Sequence, residues 1–383
     1  MSSCYEYYMH GFRYSGQFEI DPDGANNGVG PFLVECDMTT TPPGKTIIHH
    51  TRDMEESSQI LGHEACGSWS ETMNYFSVDI STQMTPFVDT IATCSQYAKW
   101  RCHGAHALGN CNYVTDRGGT KIPYWAGGNS ANLCACGVAG NCVDGRSDCN
   151  CNKNDKVLRE DEGYFTDKSL LPIEAFYNGD TGHAGEYGYY TIGPLECQPA
   201  LPSCTEWKRF NSTSGLYWVD PDGGGGVAAF EVYCDMSTTP PTVTFHHDYE
   251  DRTHVMGYDP ALSYSVDLTY NLNTDQIAAY VDIVGFNCTQ YIKYECYGSH
   301  IQSSPNIHTA WYDRHGQQST FWAGGDPDGA TGNCACAKDG SCANANKHCN
   351  CDSNDFVWRL DEGDITQSDY LPVTMVKVGD TGE

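Results

Sequence analysis

Between Cys134 and Asp155 the chain reads "CACGVAGNCVDGRSDCNCNKND", and between Cys334 and Asp355 it reads "CACAKDGSCANANKHCNCDSND". All five cysteines of one stretch recur in the other, although most residues between them differ. A pattern that holds its cysteines and varies elsewhere is a covalent framework, and here it occurs twice. The match runs outward in both directions. "SGQFEIDPDGANNGVGPFLVECDMTTTPP" answers "SGLYWVDPDGGGGVAAFEVYCDMSTTPP", "CSQYAKWRC" answers "CTQYIKYEC", and "YWAGG" answers "FWAGG". The chain is therefore a tandem of two homologous domains, residues 1–198 and 199–383, joined by "QPALPS". Such units far exceed the repeats of solenoids, and each is long enough for its own core.

The 383 residues include 21 cysteines, a density that points to an oxidising compartment: secretion, a matrix or a cell surface. Zinc is the competing use of clustered cysteines. Zinc ligands come in pairs spaced two to four residues apart, whereas these pairs are CxC and five is the wrong number for one site. Disulfide staples are favoured. Each would constrain the unfolded chain by about 2–4 kcal/mol. The net charge of -29 makes nucleic acid and anionic lipid poor partners and cations, calcium above all, better ones. No apolar run of membrane-spanning length occurs, and "MSSCYEYYMHGFRYSG" lacks the basic start and apolar stretch of a secretory signal. Disulfides need an export route, so the expectation is a mature or trimmed form of something longer.

Each repeat is predicted to open with a hairpin. Phe230, Val232 and Cys234 alternate onto one face, as Tyr217 and Val219 do in the partner strand, with "DPDG" supplying the turn. A helix is expected in each repeat. Met84, Phe87, Val88 and Ile91 have helical spacing, as do Ile277, Tyr280, Val281 and Val284, with Thr82 and Thr274 as N-caps. The fold class expected is α+β: a twisted, mainly antiparallel sheet with at least one helix and long stapled loops per domain.

"GLYWVDPDGGGGVAAFEVYCDM" resembles the opening of fibrinogen C-terminal-like domains and of the related fibrillar-collagen C-propeptides. "CTQYIKYEC", "FWAGG", the doubled CxC cluster and "LPIEAFYNGDTG…IGPLEC" resemble the fibrinogen-like region of contactin-associated proteins, which are cell-surface adhesion molecules. The acidic calcium loop that fibrinogen domains carry before a late cysteine is absent, so their ligand pocket does not carry over. The resemblance implies bridges Cys4–Cys36 and Cys204–Cys234 closing the opening hairpins, and a bridge from Cys197 back to Cys102. Cys66 and Cys111 have no counterparts in the second repeat, so an extra bridge between them is expected.

Other motifs carry less. The "DPDG" turns offer too few oxygens for a calcium site. Asp352, Asp355, Asp361 and Glu362 crowd after the second cysteine cluster, where solvated loop charge is the default and calcium the alternative. His49 and His50, matched by His246 and His247, sit at a strand end with no GxSxG or HExxH context, so no enzyme is indicated. Trp125 and Trp322 are expected in the core rather than as sugar platforms. Asn211 in "NST" and Asn287 in "NCT" are glycosylation sequons.

The second repeat ends at "GDTGE", ahead of any counterpart of "YGYYTIGPLEC". It should lack its closing strand and the last cysteine of its set. Matching Cys102 to Cys296 marks Cys296 as the odd cysteine, unpaired or intermolecular. The functional expectation is a non-enzymatic extracellular structural or adhesive protein, a subunit of a head-to-tail filament in a matrix or at a surface. Another chain would complete the second domain by strand addition, since "MSSC" leaves too little before Cys4 to donate a strand. The alternatives are a calcium-supported lectin-like module and an ectodomain fragment of an adhesion receptor; a collagen-propeptide-like trimeriser finds no Gly-X-Y tract or heptad.

Overall fold

The computed structural model describes residues 1–24, 28, 30–76, 78–109, 111–223, 226–303, 306–328 and 333–382. They form two compact units, Met1–Val232 and Tyr233–Glu383. The division falls beyond the repeat boundary at 198/199, because the opening hairpin of the second repeat groups with the first unit.

In the first repeat the strands are β1 (Gly16–Ile20), β2 (Phe32–Asp37), β3 (Lys45–Ile48), β4 (Trp69–Thr72), β5 (Thr93–His103), β6 (Tyr113–Thr115), β7 (Arg159–Phe165), β8 (Ala175–Asn178) and β9 (Tyr187–Gln198). Six of them make one sheet in the order β1-β2-β3-β9-β5-β7, and β4-β8-β6 make a second. The last strand of the repeat is thus an inner strand of the main sheet. It is antiparallel to both neighbours: Thr46 faces Cys197 on one side, and Cys94 faces Cys197 on the other. Trp100, Trp125, Phe176 and Tyr190 pack between the layers, with Phe176 and Tyr190 ring centroids 4.7 Å apart. Gly188 of β9 lies against Trp100, and a Cβ there would fall inside the space of the indole ring.

The second repeat contributes β10 (Gly215–Val219), β11 (Phe230–Cys234), β12 (Tyr264–Asp267), β13 (Gln290–Cys296), β14 (Gln302–Ser303), β15 (Asn306–Ile307), β16 (Ala310–Tyr312), β17 (Arg359–Ile365) and β18 (Met375–Val378). The three-stranded sheet recurs as β12-β18-β16. The six-stranded sheet does not: β10-β11 and β13-β17 are separate two-stranded sheets. Among the described residues nothing replaces β9.

The helices depart from expectation in their caps. Among the described residues there are six: α1 (Cys4–Met9), α2 (Thr85–Thr90), α3 (Ala135–Ala139), α4 (Cys204–Lys208), α5 (Thr274–Val284) and α6 (Ala335–Asp339). α1 and α4 each begin a repeat behind a serine cap, Ser3 or Ser203, whose hydroxyl accepts from the N–H of Glu6 or Glu206. Thr82 is not a cap. A turn of π-helix over Ile80–Met84 precedes α2, and Asp79 caps it by accepting from the Thr82 N–H. Ile91 lies just past the end of α2. Thr274 is not a cap either, because Asn273 forms a capping box with Gln276. Ile277, Tyr280 and Val281 face inward as their spacing requires.

Candidate interaction surface at a sheet edge

The doubled cysteine cluster folds into the same knot in both units. Cys134–Cys149 and Cys334–Cys349 have Cα atoms 5.1 and 5.0 Å apart, and Cys136–Cys142 and Cys336–Cys342 each 4.7 Å. The third bridge ties the knot to the sheet: Cys102–Cys151 in the first, Cys296–Cys351 in the second, both at 5.9 Å. Asp161 and Asp361 sit inside the knot. Each accepts from two backbone N–H groups, those of Asn150 and Cys151 at 2.9 and 2.8 Å, and of Asn350 and Cys351 at 3.0 and 2.8 Å. Burial pushes both carboxyls up, Asp361 to about 6, while these N–H groups pull the other way. The carbonyls of the same residues accept the indole N–H of Trp125 and Trp322 at 2.9 and 3.0 Å. Both tryptophans are buried, so neither offers a stacking platform for a sugar.

This geometry overturns two expected sulfur assignments. Cys197 bridges Cys94, not Cys102. Cys296 is not the odd cysteine, since it bridges Cys351. The reason is register. Cys94 and Cys102 lie on one face of β5, but Cys94 is opposite Cys197 whereas Cys102 is opposite Gly188 and turns its sulfur to the knot. The counterpart of Cys94 is Cys288, and Cys288 is the free thiol. It is half-buried, and burial pushes its thiol pKa up. Elsewhere Cys4 bridges Cys36, Cys66 bridges Cys111, and Cys204 and Cys234 are both disulfide-bonded.

The four acidic residues considered for a metal are each occupied by protein donors. Asp352 accepts from the Gln302 N–H at 2.8 Å, Asp355 holds the Arg359 guanidinium in a fork, Asp361 is in the knot, and Glu362 accepts from the Tyr291 hydroxyl. The histidines are structural too. His50 is buried with Nε2 3.0 Å from the Gly193 carbonyl, and His49 lies between Glu35 at 2.9 Å and Asp53, which hold its pKa up against the lowering by burial. His246 lies beside Glu250. Asn211 and Asn287 are exposed.

Among the described residues, one edge differs between the two repeats, that of β13. The seven pairs of β5 with β7, Gln96–Phe165 to Cys102–Arg159, recur as Gln290–Ile365 to Cys296–Arg359. The layer beneath recurs as well. Gln96 donates to the Tyr75 hydroxyl at 2.8 Å and accepts from the Ile173 N–H at 2.8 Å; Gln290 does the same with Tyr270 at 2.7 Å and Val373 at 2.8 Å. Then the two part. Gln96 and His50 also converge on the Gly193 carbonyl of β9, and Gln290 and His247 have no such strand among the described residues. Gln96, Ala98 and Trp100 are buried, whereas Gln290, Ile292 and Tyr294 are only partly buried.

Beside that edge lies an apolar patch that sequence reading missed. Phe356 is 75% and Trp358 63% exposed, with Tyr297 5.7 and 5.5 Å from them and the Arg252 guanidinium 5.9 Å above Trp358. The first repeat has Lys156 and Leu158 at these places. The exchange of Lys156 for Phe356, in an exposed loop, was the available signal.

Fold and knot define a disulfide-rich α+β module of a secreted or cell-surface protein, and among the described residues no helix is long and apolar enough to cross a membrane. The family model for the fibrillar collagen C-terminal domain matches residues 196–304. The chain is also similar to contactin-associated protein 1 of Mus musculus, 34% identical over 182 residues, which are 47% of this chain and 13% of that protein. The Homo sapiens protein of the same name is 32% identical over 208 residues, 54% of this chain and 14% of the relative. Neurexin-4 of Drosophila melanogaster is 33% identical over 211 residues, 53% and 16% respectively. The chain thus spans a small fraction of these relatives.

Proposed function

We propose that the chain is a non-enzymatic extracellular adhesive or structural protein whose copies associate head to tail through unlike surfaces. The observation that carries this is the exposed patch of Tyr297, Phe356 and Trp358 at the end of β13. A patch on one domain with a differently built counterpart on the other favours a heterologous contact, which propagates rather than closes. Other extracellular proteins are a second class of partner, as the name contactin-associated states for the relatives.

A net charge of -29 makes copies repel one another, and salt screens that repulsion over about 10 Å at 0.1 M. Sedimentation velocity and negative-stain imaging of the secreted chain should therefore show oligomers or fibres that grow from low to high salt. A monomer at every ionic strength would reject the reading. Asn211 and Asn287, both exposed, should carry glycans in material from eukaryotic cells, and peptide mass spectrometry after deglycosidase treatment reads this directly.

A further inference from the structure

We infer that Glu64, His183 and Glu186 of the first repeat form a zinc site, apart from both the cysteine knot and the sheet edge. The donor atoms, one ring nitrogen and one oxygen from each glutamate, lie within 4.8 Å of one another. His183 Nδ1 is 2.9 Å from Glu64 Oε2 and 3.3 Å from Glu186 Oε2. Zinc holds nitrogen and carboxylate oxygen at about 2.0–2.2 Å in a tetrahedron, which sets neighbouring donors about 3.3–3.5 Å apart. The cluster is close to that spacing, and the exposed side chain of Glu64 is free to adjust.

A surface ion pair is the plain alternative, and His49 shows the form one takes in this chain. Glu35 meets its Nε2 and Asp53 its Nδ1, one carboxylate to each ring nitrogen. At His183 both glutamates meet the same Nδ1, where a single N–H can satisfy only one of them. Among the described residues neither glutamate is paired with a lysine or an arginine, so the cluster keeps a net negative charge. One metal ion satisfies all three donors. The mixed nitrogen and oxygen set selects zinc over calcium, which takes six to eight oxygens. The donors also stand on tied loops. Glu64 lies two residues before Cys66, which bridges Cys111. The Thr181 N–H donates to the His63 carbonyl at 2.9 Å, and the Asp180 N–H to the Glu64 carbonyl at 3.2 Å. Gly182 permits this approach, since a Cβ there would lie 2.5 Å from the Cβ of Glu64. Glu186 accepts from the His183 N–H at 3.0 Å just ahead of β9. Three protein donors leave the fourth position to water.

The test uses the whole secreted chain, dialysed against a chelator, with zinc and cobalt(II) as probes. Equilibrium dialysis should find a saturable zinc that excess calcium does not displace. Cobalt(II) in its place should show the visible absorption of a four-coordinate ion. His183→Ala and Glu64→Gln should each weaken zinc binding at least about tenfold. His315→Ala, at an exposed histidine outside the cluster, should leave it unchanged. All three positions are exposed, and equal thermal unfolding of the metal-free proteins shows that the variants fold. Zinc should also slow hydrogen exchange of the wild-type amides at 183–187 and not those of His183→Ala. The absence of saturable zinc binding overturns the assignment. So does zinc binding that calcium competes away, or that His183→Ala and Glu64→Gln weaken no more than His315→Ala.

Discussion

β5 and β13 are nearly the same strand in two situations. Both pair through seven residues with a following strand, both are tied to a cysteine knot, and both hold a glutamine between a tyrosine hydroxyl and a backbone N–H. β5 has β9 on its other side and buries every second side chain; among the described residues β13 has no such strand, and Gln290, Ile292 and Tyr294 are only partly buried. The knot, its bridges and the buried aspartate are as well formed in the second unit as in the first. The staples therefore hold the loops independently of the sheet, and what β9 adds is burial along one edge. In the first repeat that edge is covered; in the second it is uncovered among the described residues.

The largest expected difference lies in sulfur. The Cys94–Cys197 bridge spans a separation of 103 residues, and chain entropy assigns such a loop about 4–5 kcal/mol. Cys94→Ser should lower the first unit's stability by close to that amount in denaturant titration. Cys288→Ser, at the matched position, removes a half-buried thiol with no bridge and should move the second unit by less than about 1 kcal/mol. Equal losses would mean that the two positions are not equivalent.

Packing should give the next contrast. Trp100 is fully buried against Phe176 and beneath Gly188, so Trp100→Ala should cost about 3–5 kcal/mol. Tyr294, its counterpart, is only partly buried, and Tyr294→Ala should cost about half as much. Equal costs would mean that the two positions are packed alike.

Much of this comparison could be read from residue order. Repetition of the CxC cluster announces two domains of one design, and the alternation of Phe230, Val232 and Cys234 announces the hairpin. The spacing of Ile277, Tyr280 and Val281 announces α5. The sulfur pairing was not legible. Cys94 and Cys102 are eight residues apart on one strand face, so either could meet Cys197, and only the register of β9 decides. That register depends on contacts between strands separated by some ninety residues. The helix starts were missed for a local reason: serine followed three residues later by glutamate, at Ser3–Glu6 and Ser203–Glu206, is a cap signal that stands too close to the cysteines to form an apolar period. The Phe356–Trp358 patch was missed because an exposed aromatic in sequence looks the same as a buried one.

The last contrast concerns the carboxyl inside the knot, and its sign is the informative part. Asp361 is buried, with a folded-state pKa raised to about 6 from the ordinary value of 3.8, chiefly by desolvation and further by Asp352. For an acid with a raised pKa, the folded state holds its proton more tightly than the unfolded state does. Its contribution to stability is full below about pH 4 and is lost as the pH rises through about 6, an interval worth of order 2–3 kcal/mol. The second unit should therefore unfold at higher denaturant concentration at pH 4.5 than at pH 7, opposite to the usual trend for a paired carboxylate. Asp355, held low by Arg359, acts in the other direction, but at pH values below its ordinary one, so it does not mask the effect. Asp361→Asn leaves one backbone N–H donor without an acceptor and should cost about 1 kcal/mol at all pH values, so the slope rather than the midpoint is the readout. The slope between pH 4 and 6 should flatten in that variant and persist in the first unit, where burial raises Asp161 in the same direction. Asp161→Asn should flatten the first unit alone. If both slopes survive both substitutions, the knots are not where the protons bind, and the shared design of the two domains ends at their disulfides.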